Sequence, residues 1–261
     1  MDRFLKGGIT THGITEIFGQ SGTGKTQLCL TMCLTVQLPE QDGGLDGEVV
    51  YLVSEGRFPL KRLYQLIPHF QKKHPILKDK DLGSKIHIAH LADLETQHHL
   101  IHYHLPVLLS RHKIRLIILD SVAANFRAED LLVDGEMKTS KNGFSIEKIR
   151  GLLQLGHQLH RLSVNFGIPV ICVNQASALM RSEFDLVQTP EDSAIPALGL
   201  SWSNTLNTRI MLQRDRSEGL TSDNQRRSLR VLLSPYLSNG SCNFTIEEDG
   251  INGEDSGGHM S

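Results

Sequence analysis

Residues Gly19, Gln20, Ser21, Gly22, Thr23, Gly24, Lys25 and Thr26 run a glycine-rich turn directly into a lysine and a hydroxyl. The pattern Gly-x-x-x-x-Gly-Lys-Thr suits a phosphate chain. Its glycines let backbone N–H groups turn inward toward anionic oxygens, and the N-terminus of a following helix adds partial positive charge. Lys25 can reach β- and γ-phosphates and Thr26 can place its hydroxyl on Mg2+; Gln27, next in the chain, joins the candidate binding set. An apolar run over residues 14–18 precedes the loop and a helix-forming run follows it. This strand–loop–helix context separates the motif from a chance glycine turn. The loop alone leaves the fate of the phosphate open, since kinases, switches, motors and passive nucleotide clamps all use it.

Three polar residues at strand ends narrow the choice. Asp120 closes "RLIILD", and an acid at the C-terminal end of a central strand faces the ligand crevice. There it can hold Mg2+ or its water shell. Glu55 closes "VVYLVSE" and could polarise a water that attacks the γ-phosphate. Gln175 closes "IPVICVNQ" and could sense the γ-phosphate and pass its state to the loop that follows. Each has a plainer reading as a local hydrogen-bonding residue, but together they form one constellation. Arg62, on the next helix after Glu55, could stack its guanidinium on a base or cover the surface beside Lys61.

The elements that must position these groups are legible as hydrophobic patterns. Residues 14–18 read as a strand, 25–38 as a helix, and "GEVVYLVSE" as a buried strand. "PLKRLYQLIPHF" is amphipathic, with Pro59 near its first turn, and "KIHIAHLAD" is a strand. "LETQHHLIHYHLPVLLSR" is a helix that Pro106 bends or interrupts. "IRLIILDS" is a central strand, residues 144–166 are a long helix, and "GIPVICVNQ" is the next strand. Continuous apolar strands alternating with helices predict an α/β fold whose mostly parallel central sheet is covered on both faces. "TLNTRIMLQ", "SLRVLLSP" and "SCNFTIEE" lack helices between them and are expected to add an antiparallel C-terminal edge. The domain reading is one core over residues 1–248. Residues 249–261 form an acidic, glycine-rich tail expected to be disordered. The polar stretches 127–143, 180–197 and 216–227 are expected to be mobile.

The chain has 261 residues, 39% apolar and 21% charged, enough for one sizeable core. A formal net charge of -2 supplies no global field for nucleic acid or anionic lipid, so DNA contact must come from local patches. Cys29, Cys33, Cys172 and Cys242 sit mostly in apolar runs and suggest neither a disulfide framework nor a zinc site. No 18-residue apolar run or signal-peptide pattern is present, so the expectation is a soluble intracellular protein without a membrane partner.

Other clusters read as ordinary surface or core. His98, His99, His102 and His104 resemble a metal cluster, and His98 and His102 share a helical face by i,i+4 spacing, but no carboxylate pattern completes a site, so a surface or helix-packing role is expected. Cys29 and Cys33 share a helical face among leucines, as small buried side chains do. Lys72, Lys73, Lys78 and Lys80 are interrupted by acids and read as a solvated face. Arg226, Arg227 and Arg230 flank a loop and are the better candidates for DNA phosphates.

"GITEIFGQSGTGKTQL", "VVYLVSEGRFPLKRL", "LIILDSVAANFR" and "VICVNQ" resemble the RecA-type recombinase core in its eukaryotic form, and within it the paralogue branch. The resemblance runs from about residue 4 to residue 250. It implies a RecA-like P-loop ATPase core using ATP and Mg2+ in homologous recombination. It also implies phosphate binding by residues 19–26, catalysis by Glu55 with Lys25, and metal association by Asp120 with Thr26. A switch role for Gln175 and base stacking by Arg62 are implied in the same way. The loops after Asp120 and Gln175 match two DNA-binding loops. The implied partners are another recombinase paralogue in a heterodimer, a recombinase filament, and single-stranded or branched DNA shared with that partner. The implied location is the nucleus, with a cytoplasmic pool.

Departures from the family pattern bear on function. Family recombinases carry an N-terminal helical domain or a docking linker, whereas this chain opens inside the core motif, as expected of a trimmed or lost segment. Where the family places an acid before a Ser-Pro pair to cover a neighbour's ATP, this chain has Leu233, which argues against self-filament formation through that contact. Residues 176–198 hold Glu183, Asp185, Glu191 and Asp192 against Arg181, a net charge of -3 that opposes phosphate binding. Two rival readings stand beside a DNA-dependent ATPase subunit: an ATP-binding scaffold with little hydrolysis, and a P-loop small-molecule kinase.

Overall fold

A computed structural model describes residues 4–5, 8–9, 12–128, 146–178, 194–196, 198–214 and 226–254. Most of residues 127–143, 180–197 and 216–227, with the acids of residues 183–192, lies outside the described residues.

Apolar residues on both faces of successive strands require cover on both sides, and the fold supplies it. The strands are β1 (Ile14–Gly19), β2 (Glu48–Val53), β3 (Ile86–His90), β4 (Ile114–Asp120), β5 (Val170–Ala178), β6 (Ala194–Pro196), β7 (Thr208–Arg214), β8 (Arg227–Leu233), β9 (Gly240–Glu247) and β10 (Gly250–Gly253). They form one sheet in the order β10-β9-β8-β7-β1-β5-β4-β2-β3, with β6 paired to β5. Pairings from β3 through β7 along this path are parallel, and β7-β8, β8-β9 and β9-β10 are antiparallel. This is the RecA-like architecture, with the expected antiparallel C-terminal edge.

The helices are α1 (Lys25–Thr35), α2 (Leu60–Lys73), α3 (Leu94–His99), α4 (Leu105–Arg111), α5 (Ala123–Ala128), α6 (Ile146–Phe166) and α7 (Gly199–Ser203). Strand periodicity divides the core in two. Val49, Tyr51 and Val53 of β2 join Ile118 and Ile171 in the cluster packed with α1 and α2. Val50 and Leu52 join Ile117, Leu119 and Cys172 in the cluster packed with α4 and α6. The long α6 buries Leu152, Leu155, Leu159 and Leu162, a spacing of three and four residues that aligns one helical face. Among the described residues, no helix is long and apolar enough to cross a membrane.

Three expectations shift for identifiable reasons. The helix after the glycine loop ends at Thr35 rather than Leu38. Pro106 does not break its helix; residues Leu100–His104 widen into a π-turn just before it, and α4 continues. Proline lacks an N–H, and a local π-turn rearranges the ladder around that missing donor. The segment expected as tail contributes an ordered strand: β10 pairs antiparallel with β9, with Ile251 opposite Ile246. Composition hid this, because three of the four residues of "GING" are glycine or asparagine.

A buried polar knot holds the middle of the sheet. Glu16 on β1 is fully buried and accepts hydrogen bonds from Asn174 Nδ2 (2.8 Å), Trp202 Nε1 (2.9 Å) and Arg209 Nε (2.6 Å). These partners lie on β5, α7 and β7, so one carboxylate ties four elements together. Removing one partner from a buried ion pair leaves an uncompensated charge. Arg209→Ala should therefore lower unfolding stability by about 3 kcal/mol, read as a lower urea midpoint with an unchanged m-value.

Candidate nucleotide site

The glycine loop joins β1 to α1 and lies at the C-terminal ends of the parallel strands. Gly19 is required by space: a Cβ there would stand 2.2 Å from the Leu212 carbonyl oxygen. Gly24 is required by backbone, with φ at 102°, immediately before α1 begins. Lys25 Nζ donates to the carbonyl oxygens of Gly19 and Gln20, both at 2.8 Å, so the ammonium folds back over its own loop. Thr23 Oγ1 donates to Gln20 O at 2.9 Å and stiffens the same turn.

Parallel register brings the remaining groups to this edge. Gly19 is level with Gln175, and Val53 is level with Asp120. Thr26 Oγ1 donates to Asp120 Oδ2 at 3.3 Å, and Tyr51 Oη donates to the same oxygen at 2.6 Å. Gln175 Nε2 donates to Glu55 Oε2 at 2.8 Å. Glu55 stands two residues beyond β2 rather than at its end. Gln175 lies inside β5, because β5 runs on to pair with β6 after its parallel pairing with β1 stops. Lys25, Thr26, Asp120, Glu55 and Gln175 line a cavity of about 860 Å³, which also takes in Ser21, Gly22, Gln27 and Arg62. That volume falls in the range of small-molecule sites.

Burial sets the electrostatics. It pushes the Asp120 carboxyl up, against hydrogen bonds from Tyr51 and Thr26 and the charge of Lys25, which pull it down. Burial likewise pulls Lys25 down, against Asp120 and Glu55. Both charged forms are therefore short of solvation, which a cation at Asp120 and phosphates at Lys25 would restore. The oxygens of Thr26 and Asp120 suit Mg2+, whose adjacent ligands at 2.0–2.1 Å lie about 2.9 Å apart.

Sequence reasoning missed two residues here. Tyr51 looks like a core aromatic and is almost fully buried, yet its hydroxyl holds Asp120. The signal was its alternation with Val49 and Val53, which puts it on the α1 face of the sheet. Arg227, read as a DNA contact, instead lines the cavity, while Arg226 pairs with Glu254 at 3.0 Å. Arg227 shares the inward face of Leu229 and Val231, and Arg230 is exposed on the other face of β8. The three arginines are thus not one patch. Arg62 bonds Gln27 Oε1 at 3.0 Å and the carbonyl of Glu248 at 3.0 Å, which fixes its guanidinium at the cavity wall. His98 and His102 stack with ring centroids 3.9 Å apart, and Cys29, Cys33, Cys172 and Cys242 are buried free thiols.

A glycine loop between β1 and α1, with an acid ending the strand two places away in the sheet, defines a RecA-like P-loop protein. Residues 1–254 match the Rad51 family model, and the chain belongs to that family as a recombinase paralogue. Over 97% of its length it is 40% identical to the DNA repair protein XRCC3 of Bos taurus, spanning 72% of that protein. It is 37% identical to DNA repair protein XRCC3 of Mus musculus, again over 97% of its length and spanning 73% of that protein. The meiotic recombination protein DMC1 of Saccharomyces cerevisiae is 32% identical over 96% of the chain, which spans 68% of it.

Lys25→Ala should cut ATP affinity at least tenfold by calorimetry, because it removes the cation folded over the loop. Tyr51→Phe removes a hydrogen bond that favours ionised Asp120. It should raise the Mg2+ concentration for half-maximal binding of a fluorescent nucleotide by about tenfold.

Proposed function

We propose that this chain is an ATP-binding, DNA-dependent ATPase subunit of a recombinase-paralogue complex acting in homologous-recombination repair. The observation that carries the reading is the convergence of Lys25, Thr26, Asp120, Glu55 and Gln175 on one cavity wall. Membership of the Rad51 family and the DNA-repair and meiotic-recombination roles in the relatives' names support it.

Each group has a task the geometry allows. Residues 19–26 would wrap the phosphates with backbone N–H groups, and Lys25 would swing from the carbonyls of Gly19 and Gln20 to phosphate oxygens. Thr26 and Asp120 would hold Mg2+, which supplies charge neutralisation on the phosphates when bound. Glu55 would orient and polarise water at the γ-phosphate. Gln175 already bonds Glu55, so a γ-phosphate that attracts either side chain disturbs both. The change passes directly into the segment after β5, the candidate DNA loop. Arg62 would face the base, and Arg227 would add positive charge at the cavity from within the same chain.

The partner is another recombinase paralogue, and DNA, single-stranded or branched, is shared with it. The complex works in the nucleus beside a recombinase filament. Leu233 is exposed at the end of β8, where a carboxylate would be needed to cover a neighbour's nucleotide. This favours a mixed pair over a filament of this chain alone. It also favours the second reading, an ATP-binding scaffold with little hydrolysis.

ATP turnover by the chain with a paralogue partner, with and without single-stranded DNA, separates the readings. The ATPase reading expects DNA-stimulated phosphate release that falls at least a hundredfold in Glu55→Gln while ATP binding persists. Tight binding without turnover in the parent chain would establish the scaffold.

A further inference from the structure

At the end of the sheet away from the nucleotide cavity, three side chains from three elements converge. Glu48 opens β2, His87 is the second residue of β3, and His112 lies in the turn between α4 and β4. Backbone pairing places them: Glu48 N donates to Lys113 O at 2.8 Å, and Val50 is level with His87. His87 Nε2 stands 2.7 Å from Glu48 Oε2, and His112 Nδ1 stands 3.3 Å from the same oxygen. The three donor atoms lie within 4.8 Å of one another. The two imidazoles meet edge to face with centroids 4.8 Å apart.

Ligands around tetrahedral Zn2+ at 2.0–2.1 Å lie about 3.4 Å from one another. A small opening of the trio would therefore admit an ion. We propose that Glu48, His87 and His112 form a binding site for a zinc-class divalent metal, with its remaining position open to water. The donor set selects the class: two imidazoles and one carboxylate suit Zn2+ and its d-block neighbours, whereas Mg2+ takes oxygens. Burial would raise the Glu48 carboxyl, but hydrogen bonds from Lys85 and His87 overcome it and hold the group at about 2. Lys85 Nζ bonds the other carboxylate oxygen at 2.7 Å, which orients Oε2 toward both rings. The trio lies at the surface, with side-chain exposures of 15%, 27% and 44% for Glu48, His87 and His112, so an ion can enter. The site would tie the edge strand β3 and the α4–β4 turn to β2. It would act on stability and stand about 16 Å along β2 from the nucleotide edge.

The test uses the whole 261-residue chain after chelator treatment. Calorimetric titration with Zn2+ should show one equivalent bound, with a raised Tm, and Co2+ should give visible absorption bands of a four-coordinate ion. His87→Asn and His112→Asn should each weaken Zn2+ at least tenfold, and Glu48→Gln should do the same while preserving side-chain shape. Far-UV circular dichroism confirms folding of each variant. His102→Asn, which breaks the stacked pair with His98, should leave Zn2+ affinity unchanged. Three results would overturn the proposal: no Zn2+ binding up to about 100 μM, binding that survives His87→Asn and His112→Asn, or binding that disappears only in His102→Asn.

Discussion

The carboxylate of Asp120 is the point where the strand order, the glycine loop and the chemistry meet. It ends β4, accepts from Tyr51 on β2, and accepts from Thr26 on α1. One oxygen thereby fixes the distance between the first turn of the loop helix and the two strands behind it. The arrangement is costly, because burial disfavours the charged form. Two hydroxyl donors offset part of that cost, and a metal ion would offset more. A site that keeps a charge partly desolvated stays responsive to a ligand that completes it.

The geometry around Asp120 holds only if the neighbouring strands cannot slide. Glu16 provides that lock between β1, β5, β7 and α7, within one strand length of Gly19. A shift of β1 by one residue would turn Glu16 from its three donors and move its whole apolar set to the wrong face. The buried charge thus bears on register as well as on stability, register being the best-attested use of such groups. The phosphate loop inherits its position from that register, because Gly19 packs directly against the Leu212 carbonyl of β7.

The sheet and the loop were legible because both depend on local patterns. Runs such as "RLIILD" and "VICVNQ" carry apolar residues on both faces and end in polar residues, which marks a parallel strand and its polar end together. Tertiary detail was not legible. Nothing in the spacing says that Tyr51 bonds Asp120, because a core aromatic and a carboxylate-holding phenol look alike in sequence. Arg227 was grouped with Arg226 and Arg230 by proximity along the chain, yet strand alternation separates it from Arg230. β10 was hidden by its glycines, since its pairing is satisfied by β9 rather than by its own side chains. The histidines crowded at residues 98–104 drew attention by density, whereas His87 and His112 meet only through folding.

Strand β2 connects the two ends of the molecule. Glu48 begins it, Tyr51 reaches Asp120 from its middle, and Glu55 follows it into the cavity. It is also the only strand that holds the edge strand β3 to the sheet among the described residues. An edge strand bonded on one side is the easiest part of a parallel sheet to lose. Lys85 and His87 of that edge both bond Glu48, so β3 is anchored by side chains where its backbone has only one neighbour. Securing β3 there limits the freedom of β2 at its N-terminal end. The C-terminal end of β2, which leads into the cavity, is then insulated from fraying of the edge.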